Sequence, residues 1–102
     1  MAAVRDTYMS DYGISREETQ KLISFCRNAN VEEKNIIKKL AELVYPEIGE
    51  QLFLNLTTGI GYDNLCKIEP IRMQRKDFQG YRRRLLKELY DFMKEKGESD
   101  DK

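Results

Sequence analysis

Large apolar side chains recur at every third or fourth position between residues 73 and 95. This spacing places them on one side of an α-helix. No segment of the chain shows the strict alternation of apolar and polar residues that a half-buried strand requires. The sequence therefore predicts an all-α protein whose longest helix runs from about residues 73–74 to about Glu95. Its apolar stripe consists of Phe78, Tyr81, Leu85, Leu89, Phe92 and Met93.

Two capping signals predict where the first helices begin. Ser15 precedes Glu18 by three residues, and Asn30 stands in the same relation to Glu33. In such a capping box, the first side chain accepts a hydrogen bond from a free helical N–H group while the second reaches back to the first residue's own N–H. The sequence therefore predicts one helix after Ser15 and a second after Asn30.

Proline and glycine predict the ends of the next two helices. Pro46 suits the first position of a third helix, because its missing N–H is not needed there. Gly59 suits the position just after the end of that helix. A short fourth helix over Tyr62–Ile68, with Leu65 and Cys66 inward, then stops before Pro70.

The length and composition favour a single compact domain. With 102 residues and 40% apolar side chains, the chain can build one core but not two. We expect a five-helix domain over residues 15–96, in which residues 46–95 form a helix-turn-helix-like unit of three helices. Residues 97–102 are predicted to be a disordered acidic tail, and residues 1–14 a flexible arm. The arm is expected to dock through Tyr8, Met9 and Tyr12.

Several classes of chemistry are disfavoured by what the sequence lacks. It contains no histidine and two cysteines, Cys26 and Cys66, so one chain cannot supply a four-ligand Cys/His zinc site. Asp63, Glu69 and Asp77 are interpreted as ion-pair partners of neighbouring arginines. We therefore expect no enzyme activity, no cofactor and no metal ion.

The expected location is the cytoplasm. No run of about 18 apolar residues could span a membrane, and residues 1–10 lack a secretion signal. Two cysteines are few for a secreted disulfide scaffold, so reduced and largely buried thiols are favoured.

The charges are segregated although the formal net charge is zero. Residues 1–66 carry seven basic side chains against ten acidic ones, and residues 88–102 carry three against six. Residues 67–87 carry eight basic side chains against two acidic ones. A neutral protein with such a basic block can present a positive surface to an anionic partner.

The basic block coincides with a pattern that is similar to a helix-turn-helix. Residues 62–68 would form its first helix, residues 69–73 a turn with Ile71 or Met73 reaching the core, and residues 74–84 the start of a recognition helix. Such a helix reads DNA bases with its first turn and contacts phosphates beside it. The predicted base readers are Gln74, Arg75, Lys76 and Gln79, and the predicted phosphate contacts are Arg72, Arg83, Arg84 and Lys87.

A helical projection supports this assignment. With Phe78 at zero, the angles of Lys76, Arg83, Lys87 and Lys94 lie between about 140° and 180°. Gly80 projects to the same side and is expected to be exposed, where it would allow a close backbone approach. Arg82 projects to about 40°, at the edge of the core.

A protein-interaction module without nucleic-acid binding is the alternative function. Amphipathic surface helices commonly carry Lys and Arg opposite the core, and the acidic and basic segments could also pair between molecules. Tyr90 lies beyond the apolar stripe, so a homodimer through the last helix is expected under either function.

Residues 61–89 also resemble a family of small proteins from bacterial prophages and integrative elements. The C-terminal part of that family is similar to the region-4-type helix-turn-helix of sigma factors. The turn here is longer than in the sigma pattern. The resemblance implies a sequence-specific reader of double-stranded DNA that regulates transcription. The matching residues are Tyr62, Leu65, Ile68, Pro70, Ile71, Arg75, Asp77, Phe78, Tyr81, Arg82 and Arg83.

Overall fold

Helices make up the fold, as the apolar spacing predicts. The computed structural model of the protein describes residues 6–100, with side chains up to residue 95. Within residues 6–100 there are five α-helices and no strand, so the all-α prediction is confirmed. The helices are α1 (Arg16–Arg27), α2 (Val31–Val44), α3 (Gly49–Thr58), α4 (Tyr62–Ile68) and α5 (Arg75–Asp100). Short 3-10 helices cover Met9–Tyr12 and Pro46–Ile48.

Both predicted capping boxes are present. The Ser15 hydroxyl accepts a hydrogen bond from the Glu18 N–H at 3.1 Å, and the Glu18 carboxylate accepts one from the Ser15 N–H at 2.9 Å. Asn30 and Glu33 make the same reciprocal pair at 2.8 and 2.9 Å. These bonds use N–H groups that have no partner inside a helix, so they fix the starts of α1 and α2.

The sequence predicts the last residues of α3 correctly but not its first. Gly59 has φ 84°, in the left-handed region, and its N–H donates to the Asn55 carbonyl, so it ends α3 as predicted. Pro46 instead opens the 3-10 helix Pro46–Ile48, and α3 begins at Gly49. Ile48, the last residue of this 3-10 helix, is a core residue with 4% of its surface exposed.

The core lies where α5 packs against α1, α2 and α3, and α2 and α3 also pack against each other. Phe78, Leu85 and Leu89 are buried as predicted, but Leu86 is fully buried as well. The buried face of α5 is therefore wider than the stripe predicts, because α1 and α2 both pack against it. The opposing core residues include Cys26, Ile37, Leu52 and Leu56.

The chain termini differ from the predictions. Helix α5 begins at Arg75 and continues to Asp100, past the expected end near Glu95 and into the segment predicted as a disordered tail. Gly97 does not end the helix, since one interior glycine costs only about 1 kcal/mol and no proline follows. Residues 101 and 102 lie outside the described residues.

The described part of the predicted arm is folded. Residues 1–5 lie outside the described range, but Met9 and Tyr12 pack against the core as expected. Ile14, which the sequence analysis did not single out, is 2% exposed and is itself a core residue. Residues 6–14, called the arm below, are therefore tied to the domain rather than flexible.

Candidate nucleic-acid interface

Aromatic contacts tie α4 and the start of α5 together. The Tyr62 hydroxyl donates to the Met73 carbonyl, and the Tyr62 ring meets the Phe78 ring edge-on with centroids 5.5 Å apart. Ile71, in the turn, is 8% exposed and reaches the core as predicted, while Met73 is half-buried. The turn between the two helices therefore has three anchors. They determine where the first side chains of α5 are presented.

Four of the predicted contact residues are exposed where the turn meets α5. They are Arg72, Gln74, Arg75 and Lys76, and they are called the basic cluster below. Arg75 pairs with Asp63 at 2.5 Å, and both side chains are more than half exposed. Lys76 lies 3.8 Å from Asp6, again with both side chains more than half exposed. Ion pairs in such exposed positions contribute little to stability and exchange readily with other anions.

The arm covers the side of α5 next to the basic cluster. Arg83 is half-buried: its Nε donates to the Thr7 carbonyl at 2.8 Å, and its guanidinium lies 4.6 Å from the centre of the Tyr8 ring. Gln79 is half-buried, and Gly80 is buried rather than exposed as predicted. The projection assigns Gly80 and Arg83 to the side of α5 opposite Phe78, but Gly80 is buried and Arg83 is half-buried there. A projection of one helix does not account for a segment distant in sequence, such as the arm that contacts Arg83.

Arg84 and Lys87 form pairs along α5. Arg84 Nε lies 3.0 Å from a Glu88 oxygen, and Lys87 Nζ lies 2.6 Å from an Asp91 oxygen. The hydrogen bond to Asp91 raises the pKa of Lys87. Of the eight predicted residues, the structure thus brings four together at the start of α5. The other four lie farther along the helix: Gln79 is half-buried, Arg83 contacts the arm, and Arg84 and Lys87 pair with carboxylates.

Two arginines that were not predicted as contacts lie at the end of α3. Arg82 is half-buried as its projection indicates, and its Nε donates to the Asn55 Oδ1 at 2.6 Å. Burial lowers the pKa of Arg82, and the positive charges of Arg27 and Arg83 lower it further. The Arg27 side chain reaches the same place from α1. Sequence reasoning could not find this pair, because 55 positions separate the two residues and no local motif contains both.

The remaining candidate sites of the sequence analysis lie apart from one another. Cys26 is completely buried, which raises its pKa to about 12, whereas Cys66 is only half-buried. Both thiols are free. Tyr90, the expected dimer contact, is half-buried against α1 and donates to a Glu18 oxygen at 3.1 Å. Within the described chain, no three side chains with metal-ligating groups converge on one point.

Among the helices that the structure describes, none has both the length and the apolar character of a membrane span. Comparisons with protein-family models, with curated proteins and with solved structures find no significant match to this chain. The similarity to the region-4-type helix-turn-helix therefore stays a prediction.

Proposed function

We propose that this protein binds double-stranded DNA through α4, the turn at residues 69–74 and the first turn of α5, and that it regulates transcription. The observation that carries the proposal is the basic cluster, four exposed side chains on a turn that is anchored from both sides. In this proposal α5 is the recognition helix of a helix-turn-helix.

The side chains in the cluster match the chemistry of a DNA groove. Arginine pairs with guanine through two parallel hydrogen bonds, and glutamine pairs with adenine in the same way. Gln74 and Arg75 are the proposed base readers at the start of the helix, with Lys76 beside them. Arg72 lies in the turn, where a cation would contact the phosphate backbone. Because the pairs Arg75–Asp63 and Lys76–Asp6 are exposed, phosphates can replace both carboxylates at little cost.

The arm restricts the proposed interface to the start of α5. Arg83 is held by Thr7 and Tyr8, so its guanidinium is not presented to a duplex while the arm stays in place. Arg84 and Lys87 can contribute only by giving up Glu88 and Asp91. The salt dependence of DNA binding distinguishes an interface limited to the start of α5 from one that also includes Arg84 and Lys87. Two phosphate contacts, from Arg72 and Lys76, give a log–log slope of about −1.8, whereas four contacts, with Arg84 and Lys87 added, give about −3.6.

The test is a fluorescence-anisotropy titration of the full chain against a mixed-sequence duplex at low salt. We expect binding, and we expect the double variant Arg72→Glu/Arg75→Glu to weaken it at least about tenfold, because two attractive charges become repulsive. The matched control is Lys34→Glu/Lys39→Glu, which makes the same charge change at exposed positions of α2. Both variants should keep the melting temperature within a few degrees, since exposed charges contribute little to stability.

A wild-type chain that does not bind the duplex at about 100 μM, where non-specific DNA binding is normally seen, would refute this proposal. A protein-interaction module would then be the leading function. Two large side chains favour that alternative by their exposure: Leu43 is 80% exposed and Val31 75%. The expected homodimer through α5 belongs to both proposals, and sedimentation equilibrium of the full chain tests it.

A further inference from the structure

Two guanidinium groups lie together at the carboxyl end of α3. Arg27, the last residue of α1, places its guanidinium against Gly59, so closely that a Cβ atom at that glycine would be 2.7 Å from Cζ of Arg27. Arg82 reaches Asn55, one helical turn before Gly59, with 2.6 Å between Nε and Oδ1. Both cations therefore lie at the carboxyl end of α3, Arg82 at its last turn and Arg27 at the glycine that follows it.

Asn55 connects the two positions. Its side-chain amide donates to the Ile60 carbonyl at 2.9 Å, and its backbone carbonyl accepts the Gly59 N–H at 2.9 Å. The asparagine thus fixes the loop against which Arg27 lies, while its Oδ1 holds Arg82. Asn55 is itself only 8% exposed, so the side chain that contacts both positions is buried.

The two charges have no counterion within the described side chains. Across residues 6–95, neither Arg27 nor Arg82 forms an ion pair, unlike Arg75, Lys76, Arg84 and Lys87. Arg82 uses one of its five N–H donors, on a neutral amide oxygen. The carboxyl end of α3 offers about half a negative charge, which is less than two cations require.

Keeping the half-buried guanidinium of Arg82 charged beside a second cation costs free energy. Burial and the charge of Arg27 both lower the pKa of Arg82, which means that both act against its charged form. The Arg27 side chain is exposed and lies over the loop at Gly59, so solvent reaches the two guanidinium groups from the side of Arg27. An anion that bridges the two guanidinium groups would remove the repulsion and use the remaining donors.

We propose that Arg27 and Arg82 form a phosphate-binding site at the end of α3. The planar guanidinium presents paired N–H donors that match the oxygens of a phosphate group, and two of them can hold one group from both sides. The absence of a side chain at Gly59 leaves room for the Arg27 guanidinium. The ligand is a phosphate group, either a phosphodiester of nucleic acid or a free phosphate.

The site goes beyond the proposed DNA interface and does not depend on it. Arg82 follows Arg75 by seven residues, so it lies about 10.5 Å farther along α5 on nearly the same side of the helix. A nucleic-acid strand that contacts the basic cluster could extend to this pair. A free phosphate would use the same donors without any contact with the cluster.

The first experiment is a titration of the full, ¹⁵N-labelled chain with inorganic phosphate, compared with sodium chloride at equal ionic strength. We expect saturable shifts of the amides at residues 27–29 and 55–60 and of the Arg82 Nε–H. A dissociation constant on the order of 1 mM is what two charge-assisted contacts to a small anion allow. Arg27→Gln should weaken the binding about tenfold or more. Since Arg27 is exposed, this variant should keep the wild-type melting temperature.

Lys21→Gln is the matched control, because it removes one exposed positive charge from the same helix. It should leave phosphate binding unchanged. Equal weakening by the two variants would mean that the phosphate responds to overall charge and not to a site. That result, or the lack of saturable shifts at residues 55–60, overturns the proposal.

The second experiment identifies the source of the phosphate by measuring duplex binding at several salt concentrations. If the ligand is a phosphodiester, Arg27→Gln reduces the salt slope by about 0.9 and Lys21→Gln does not. An unchanged slope together with saturable phosphate binding identifies free phosphate as the ligand. If the wild-type chain binds phosphate but no duplex, the DNA proposal fails and the phosphate site stands.

Discussion

The two cysteines have different surroundings, and their reactivity should differ accordingly. Cys26 lies in the core between α1, α3 and α5 with no exposed surface, and burial raises its pKa to about 12. Cys66, on α4, is half-buried. Alkylating reagents attack the thiolate form, so both access and ionisation protect Cys26.

We expect iodoacetamide at pH 8 to modify Cys66 in the folded protein and to leave Cys26 unmodified. At that pH the thiolate fraction of a thiol with a pKa near 12 is about a thousandfold below that of an ordinary cysteine. Peptide mass spectrometry measures both sites, and unfolding in guanidinium chloride should make both react. Comparable labelling of the two cysteines in the folded chain would contradict the burial of Cys26.

At the scale of the elements, the arm is part of the fold through Ile14. This side chain is 2% exposed and lies directly before the capping box that begins α1. Through it, the backbone of residues 6–13 is held close to α5, where Thr7 and Tyr8 contact Arg83. The core contact and the contact with the predicted DNA-binding residues therefore depend on the same short segment.

Ile14→Ala should destabilise the protein by about 2–4 kcal/mol, because it removes buried methyl groups and leaves a cavity. Chemical denaturation followed by circular dichroism gives the free energy of unfolding. Val31→Ala is the control, since that side chain is 75% exposed and its loss should change stability by less than about 0.5 kcal/mol. If both variants are equally stable, the arm does not pack as described.

The sequence predicts what is local and misses what depends on distant packing. Ser15 and Asn30 could be identified as helix starts because their partners are three residues away. The sequence predicts that Ile71 or Met73 reaches the core from the turn, and the structure buries Ile71 and half-buries Met73. Leu86 and Gly80 could not be identified as buried, because their burial depends on how segments from far along the chain pack against α5.

In the candidate site, too, residues that adjoin one another in sequence could be predicted as a group, whereas contacts with distant segments could not. The first turn of α5 was predicted as a group, since its residues adjoin one another and face one way. Arg83 was predicted as exposed, but the arm covers it. The pairing of Arg82 with Arg27 could not be predicted, because it depends on how α1 and α5 approach the end of α3.

For the whole molecule, the segregated charges are balanced locally. Four of the cations between residues 75 and 87 pair with carboxylates, two of them on α5 itself. The basic block is therefore less positive in the folded protein than in the sequence. Replacing those carboxylates with neutral side chains should make the positive charges of the basic block available to an anionic partner.

We expect the double variant Glu88→Gln/Asp91→Asn to bind duplex DNA about tenfold more tightly than the wild type, because it frees Arg84 and Lys87 for phosphates. The salt slope should steepen by up to about 1.8, with up to two further contacts. Glu32→Gln/Glu47→Gln makes the same change of net charge at exposed positions elsewhere. An equal gain in that control would assign the effect to net charge.

The length of α5 also determines where the protein can carry a label or an affinity tag. From Lys76 to Asp100 the helix extends about 36 Å, since each residue adds 1.5 Å. A label attached next to Asp6 would lie beside the proposed interface, because Asp6 contacts Lys76. A fluorophore or immobilisation tag attached near Asp100 lies at the opposite end of the helix, and this position is the appropriate choice for the binding measurements on this protein.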